Sequence, residues 1–302
     1  MEPVKLKPAV KDYIWGGNYF QKYGKGIGLE RVSECWELST RDSDSSIIAS
    51  GKEQGKLLCD VITKEDIGPV MEKYPYFPLL IKLIDAKTNL SVQVHPSDVY
   101  ALRNENSFGK SEMWHIISAD KGSGLFVGFN DEDYTKEIIE KALKSGTILS
   151  YLNFFEVKPG ETYLIKPGTI HAIGQGVRLI EIQQNSDLTY RLYDYNRVDK
   201  DGNHRPLHIQ QALEVIDYHK YERKPQDGEY IADNEYFKVK VADVNGELKI
   251  SANEKSFISF TFLSGKGFVN DIEYDEFDTF FLPYGKECVI KGEGKVIISM
   301  AK

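Results

Sequence analysis

A mainly β protein of two barrel-like units, with a few α-helices between the strands, is what this chain predicts, on three observations. Short runs rich in Val, Ile, Phe and Tyr recur along its 302 residues, at 35–38, 79–84, 113–117, 124–128, 154–157, 162–165 and 179–183. Gly and Pro punctuate these runs, a spacing that reads as a β-sandwich or barrel. After a charged stretch at 221–229 containing Pro225 and Gly228, more such runs follow at 236–241, 256–263, 279–282 and 295–300.

The elements follow in chain order. Thr63-Lys64-Glu65-Asp66 has the pattern of a capping box and opens a helix with Ile67, Val70 and Met71 on one side. Leu90-Ser91-Val92-Gln93-Val94-His95 alternates, sending Ser91, Gln93 and His95 to one face of a strand and Leu90, Val92 and Val94 to the other. A second helix spans 131–144, with Ile138, Ile139, Ala142 and Leu143 inward and Gly146 beyond its end. The strand at 162–165 runs into the turn Lys166-Pro167-Gly168, and His171 begins another apolar run. A third helix over 206–216 carries Pro206 in its first turn, and 221–229 reads as a linker. Beyond it, Phe280-Phe281-Leu282-Pro283-Tyr284-Gly285 parallels Tyr163-Leu164-Ile165-Lys166-Pro167-Gly168. Three residues after Gly168 comes His171; three after Gly285 comes Cys288. This echo divides the chain into a metal-binding unit, 1–225, and a smaller degenerate unit without metal, 226–302.

The metal follows from residue types. Gln93, His95, Glu112 and His171 offer an amide oxygen, two imidazoles and a carboxylate, a set that suits a divalent ion such as zinc with an open coordination position. Each sits beside a Pro or Gly turn, where a barrel rim would lie. The plainer alternative is that a strand histidine is only a satisfied polar group. Against it, His95 shares a polar face with Ser91 and Gln93, as expected of a cavity lining. His115, three residues past Glu112, faces the opposite way, and His204, His208 and His219 lack such a setting.

Composition excludes several classes. A net charge of −8 without a Lys/Arg cluster argues against nucleic acid. Three cysteines without close pairing indicate a reducing compartment. Met1-Glu2-Pro3-Val4-Lys5 is no signal peptide, and no run of about 18 apolar residues exists, so a cytoplasmic protein without membrane contact is expected. A monomer or weak homodimer is the expected assembly.

Gly160, a strand, and Pro167-Gly168-Thr169-Ile170-His171 together resemble the second motif of the cupin superfamily, whose domains are jelly-roll barrels. Leu90-Ser91-Val92-Gln93-Val94-His95-Pro96, Gly109-Lys110-Ser111-Glu112 and Asn185-Ser186-Asp187-Leu188-Thr189-Tyr190-Arg191 resemble the signatures of type I mannose-6-phosphate isomerases, most closely the short bacterial branch. The likeness runs from about Pro8 to Ile216. Longer members carry Lys-Pro-Glu where this chain has Lys110-Ser111-Glu112, and their extra helical domain is absent. The resemblance implies one Zn²⁺ per chain on Gln93, His95, Glu112 and His171. It further implies a sugar-phosphate pocket lined by Lys110, Glu181, Asp187 and Arg191, with Arg191 at the catalytic position.

The implied reaction interconverts mannose-6-phosphate and fructose-6-phosphate by moving a proton between carbons 1 and 2 through a cis-enediol. It needs a base, a positive group for the enediolate, and a grip on the phosphate. Arg191 has a permanent charge and a forked donor for an oxyanion or phosphate. Lys110 adds a second charge, and Ser91 can hydrogen-bond phosphate or sugar. Glu181 and a zinc-bound water are both tenable as base. Arg191 has a plainer alternative too, a surface pair with Asp187 or Asp194. Two other functions stay open: an iron-dependent cupin oxygenase and a non-catalytic sugar-phosphate-binding cupin.

Overall fold

The computed structural model describes residues 1–131, 134–199, 201–224 and 228–302. It is mainly β, with antiparallel strands in three sheets. A six-stranded sheet runs Thr162–Ile165, Glu112–Ala119, Val177–Gln184, Leu79–Ala86, Glu34–Leu38, Ala9–Lys11. A five-stranded sheet runs Tyr190–Tyr193, Val92–Val94, His171–Ile173, Gly124–Phe129, Leu152–Glu156. Trp114, Ile116, Tyr163 and Leu179 of the first meet Leu125, Val127 and Ile173 of the second in one apolar cluster, closing a jelly-roll barrel of the cupin type.

Strand alternation explains both faces of the six-stranded sheet. Ile81, Leu83, Met113, Ile180 and Ile182 point outward, into a core shared with Val4, Leu6, Phe237, Phe281 and Ile297 of the third sheet. The inward positions change character along each strand. Ile84, Ile116 and Leu179 are apolar at one end, whereas Lys82, Glu112 and Glu181 are charged and buried at the other. That charged end is where the site forms.

The outer face of the five-stranded sheet is covered by two helices. Lys136–Ser145 contributes Ile139, Ala142 and Leu143, and Ile209–Val215 contributes Ala212 and Leu213, against Val92, Val94, Phe129 and Leu192. The first is shorter than the expected 131–144. It starts when the Thr135 side chain accepts from the Ile138 N–H, and it ends at Gly146, whose φ is 71°. Residues 132 and 133 of that expectation lie outside the described residues. The second starts three residues later than expected, leaving Pro206 in the preceding loop. The capping box at Thr63 is present, but it heads only one turn, Lys64–Ile67, before Gly68 turns at φ 92°. A further helix, Asp98–Asn104, capped by Ser97, was not expected.

The third sheet has eight strands, among them Phe237–Ser251, Ile258–Val269, Thr279–Leu282 and Glu287–Ala301, which curl around a core of Val244, Phe260, Phe262, Phe280 and Ile298. It does not keep to the expected division of the chain. Val4–Lys7 pairs with Thr279–Leu282, and Ile47–Ile48 pairs with Val4–Lys7. The N-terminal strand thus stitches residues from 1–225 into the sheet of 226–302. Part of the expected linker, 225–227, and the boundary drawn within it lie outside the described residues. The echo is geometric: Gly168 and Gly285 both follow a strand and a Pro, at φ 87° and 74°. Cys288, the counterpart of His171, is buried among Ile250, Leu282 and Ile290. No helix among the described residues is long and apolar enough to cross a membrane.

Candidate metal centre

Three ligand types meet between the two sheets of the barrel. His171 and Gln93 are register partners in the five-stranded sheet, and His95 follows the same strand as Gln93. Glu112 opens its strand in the facing sheet. His95 Nε2 lies 3.4 Å from Glu112 Oε2, and His171 Nε2 lies 3.4 Å from Glu112 Oε1. One donor atom from each of the three falls within 4.8 Å of the others. Ligand atoms held at tetrahedral angles about 2.0–2.1 Å from a zinc stand roughly 3.4 Å apart, so the spacing fits such an ion.

The protonation pattern fits as well. His95 Nδ1 is 2.9 Å from the Leu188 carbonyl and His171 Nδ1 is 2.8 Å from that of Thr169. A carbonyl can only accept, so each Nδ1 carries the proton and each Nε2 turns its lone pair inward. Burial lowers both imidazole pKa values, His171 to about 4, keeping the rings neutral. Burial alone would raise Glu112, but the Lys110 ammonium beside it outweighs this and holds the carboxyl well below its usual range. Glu112 Oε1 is buried without a hydrogen-bond partner, an arrangement a cation would satisfy.

Gln93 places its amide nitrogen 3.3 Å from His171 Nε2, while its oxygen takes the Ser91 hydroxyl at 3.4 Å. A half-turn of the amide would bring the oxygen to the ion. Lys110 lies just ahead of the strand of Glu112; its Nζ donates to Glu112 Oε2 and sits 3.2 Å from His95 Nε2. Glu181 accepts from Trp114 Nε1 at 2.9 Å and lies 3.7 Å from Lys110 Nζ. The structure therefore gathers Gln93, His95, Lys110, Glu112, His171 and Glu181 around one point.

Arg191 makes neither of the surface pairs considered for it. Its Nε donates to Ser91 Oγ at 3.3 Å and its Nη1 to the Pro206 carbonyl at 3.0 Å. Asp194 is taken by Arg197 and Arg205 instead. Asp187 lies apart from the cluster, exposed and paired with Arg41 at 2.6 Å.

Two buried charges escaped the sequence reading. Lys82 Nζ lies 3.2 Å from Glu181 Oε1 and 3.6 Å from Glu34 Oε2, and 5.2 Å from the centre of the Trp36 ring. Burial works against its charge, but Glu34 and Glu181 outweigh this and raise its pKa. The signal was a lone lysine inside the otherwise apolar run Leu79-Leu80-Ile81-Lys82-Leu83-Ile84. Glu34 had no such mark.

Residues 4–113 match the model of the phosphomannose isomerase type I catalytic domain. The chain is 35% identical to the mannose-6-phosphate isomerase ManA of Bacillus subtilis (strain 168), over 99% of this chain and 98% of that protein. It is 38% identical to the mannose-6-phosphate isomerase of Streptococcus mutans, over 71% of this chain and 68% of the relative. The crystal structure of the mannose 6-phosphate isomerase from Bacillus subtilis superposes with a TM-score of 0.87 at 32% identity, covering 99% of both chains. A putative mannosephosphate isomerase from Archaeoglobus fulgidus, 24% identical, shares the fold with a TM-score of 0.82. With its His–Glu–His cluster between the sheets of a cupin barrel, the chain belongs to the type I mannose-6-phosphate isomerase family.

Proposed function

We propose that this protein is a zinc-dependent aldose–ketose isomerase that interconverts mannose-6-phosphate and fructose-6-phosphate through a cis-enediol. The observation that carries the reading is the buried cluster of His95, Glu112 and His171 beside Lys110 and Glu181, with Arg191 joined to Gln93 through the Ser91 hydroxyl. Relatives covering nearly the whole chain are mannose-6-phosphate isomerases, which supports the choice of substrate.

His95, Glu112 and His171 would hold the ion, with the Gln93 amide oxygen as fourth ligand. When bound, zinc supplies a Lewis acid for the sugar's carbonyl and hydroxyl oxygens. Glu181, its carboxyl held by the Trp114 indole N–H, would carry the proton between carbons 1 and 2. Lys110 and Arg191 would present fixed positive charge to the developing enediolate, with donors oriented before the reaction begins. Ser91 and Lys82 would add donors for phosphate or sugar hydroxyls, and Asp187, exposed and paired with Arg41, would meet a substrate hydroxyl. Burial excludes bulk water from the proton's path.

The test is conversion of mannose-6-phosphate to fructose-6-phosphate by metal-analysed protein. Activity should scale with zinc up to one ion per chain. Zinc-loaded, folded protein that produces no fructose-6-phosphate would overturn the reading.

A further inference from the structure

We infer that His208 is a positioning residue for Arg191, fixing its guanidinium through the backbone of the strand that carries it. The inference rests on the reading of Arg191 as a catalytic group. The strand Tyr190–Tyr193 is the free edge of the five-stranded sheet. An edge strand leaves every second N–H and C=O without a ladder partner, and water usually takes them. At Arg191 neither goes to water. His208 N–H donates to the Arg191 carbonyl at 2.8 Å, and His208 Nδ1 accepts from the Arg191 N–H at 3.2 Å.

The same short segment also holds the other end of Arg191, since the Pro206 carbonyl accepts from Nη1 at 3.0 Å. Ser91 Oγ accepts from Nε across the strand pair. Backbone and guanidinium are thus braced from one loop, and that loop is anchored. His208 is the N-cap residue of the helix Ile209–Val215, whose Ala212 and Leu213 are buried against Tyr190 and Leu192. An N-cap side chain ordinarily accepts from its own helix. That of His208 makes no such bond; its acceptor is spent on Arg191.

The geometry requires Nδ1 unprotonated. Burial and the neighbouring Arg191 charge push the His208 pKa down, against the opposing pull of Glu105. Losing the brace lets the edge strand and its guanidinium wander, and misplacing a catalytic group by about 1 Å can cost on the order of 100-fold in rate.

The experiment uses the full-length, zinc-loaded enzyme and compares wild type with His208→Ala, His208→Leu and His208→Asn, each alone and with Arg191→Ala. Asn places an amide oxygen where Nδ1 stood, without a titratable ring. His208→Ala and His208→Leu should lower kcat by about 10- to 100-fold, with KM changed less than about threefold and zinc content unchanged. His208→Asn should recover most of the rate. Combined with Arg191→Ala, His208→Ala should cost less than about a further twofold, because the two act as one unit. Wild-type kcat in His208→Leu, with a large loss in Arg191→Ala, would sink the inference while leaving Arg191 catalytic. Equal losses with and without Arg191, not rescued by Asn, would show a merely structural role and also sink it. Full activity in Arg191→Ala would remove the reading beneath it.

Discussion

Replacing Lys82 with Met tests the buried charge chain directly. The substitution keeps an unbranched apolar side chain of similar length and removes an ammonium lying 3.2 Å from Glu181, 3.6 Å from Glu34 and 5.2 Å from the centre of the Trp36 ring. At an effective dielectric constant of 20, those separations correspond to gross attractions of about 5 and 4.6 kcal/mol. Much of that is offset because Lys82 no longer has to be desolvated, which costs several kcal/mol for a buried ammonium. What remains is the penalty of leaving the buried Glu34 carboxylate without its ammonium, and Glu181 with Lys110 alone at 3.7 Å, about 3–5 kcal/mol by the usual cost of breaking a buried pair. Urea unfolding of metal-free protein reads this quantity without a contribution from bound ion. Tryptophan fluorescence suits the measurement, since Trp15, Trp36 and Trp114 are all buried in or against the first barrel. Pairing the change with Glu34→Gln should restore at least half the loss by removing the carboxylate left without an ammonium. A single variant within about 1 kcal/mol of wild type, or a double variant no better than the single, would refute the reasoning.

Other outcomes follow from the same geometry. Glu112→Gln should weaken zinc binding strongly while leaving a folded protein, and His171→Ala should lose the ion on dialysis; metal analysis decides both, with full retention counting against the assigned ligands. Arg191→Ala should cut kcat by roughly 100-fold with zinc retained, and Arg191→Lys should recover only part, because a point charge lacks the forked geometry. A rise in KM alone would make Arg191 a uniform binding contact. Asp194 is raised by burial but lowered further by Arg205 and Arg197, so its folded pKa lies below the ordinary 3.8. The stability it confers is therefore present above pH 3.8 and lost as pH falls through the lower folded value. Asp194→Asn should be destabilised by about 1.5–3 kcal/mol at pH 7, and the gap to wild type should narrow at pH 3; a pH-independent gap would contradict this. Cys288→Ser should leave zinc content unchanged, its side chain lying in the second unit's apolar core.

The cluster was legible because its members sit on or next to regular strands. Alternation alone put Ser91, Gln93 and His95 on one face, and the Pro-Gly turn announced that His171 follows a change of direction. Turn chemistry and alternation are local, so sequence carries them. Lys82 and Glu34 reach the site only because Leu79–Ala86 lies between Val177–Gln184 and Glu34–Leu38, and strand order is a long-range fact with no local mark. The same holds for Val4–Lys7, whose partner strand begins at Thr279. His208 was passed over for a related reason. It has no ligand-like setting in sequence, and its partner is main chain, which any residue offers.

The charge pattern also explains why a barrel interior tolerates so many ionised groups. From Glu34 through Lys82, Glu181 and Lys110 to Glu112, anions and cations alternate in a buried row. Three carboxylates against two ammonium groups leave one negative charge in excess, in surroundings where an unpaired charge is costly. A divalent ion at the Glu112 end turns that excess to one positive charge, which an anionic sugar phosphate would then meet. Stability alone would favour apolar residues at these five positions, as it does at the far end of the same strands, where Ile84, Ile116 and Leu179 fill the barrel. The inner face of the six-stranded sheet is thus divided along its length: one half packs, and the other holds a buried charge row.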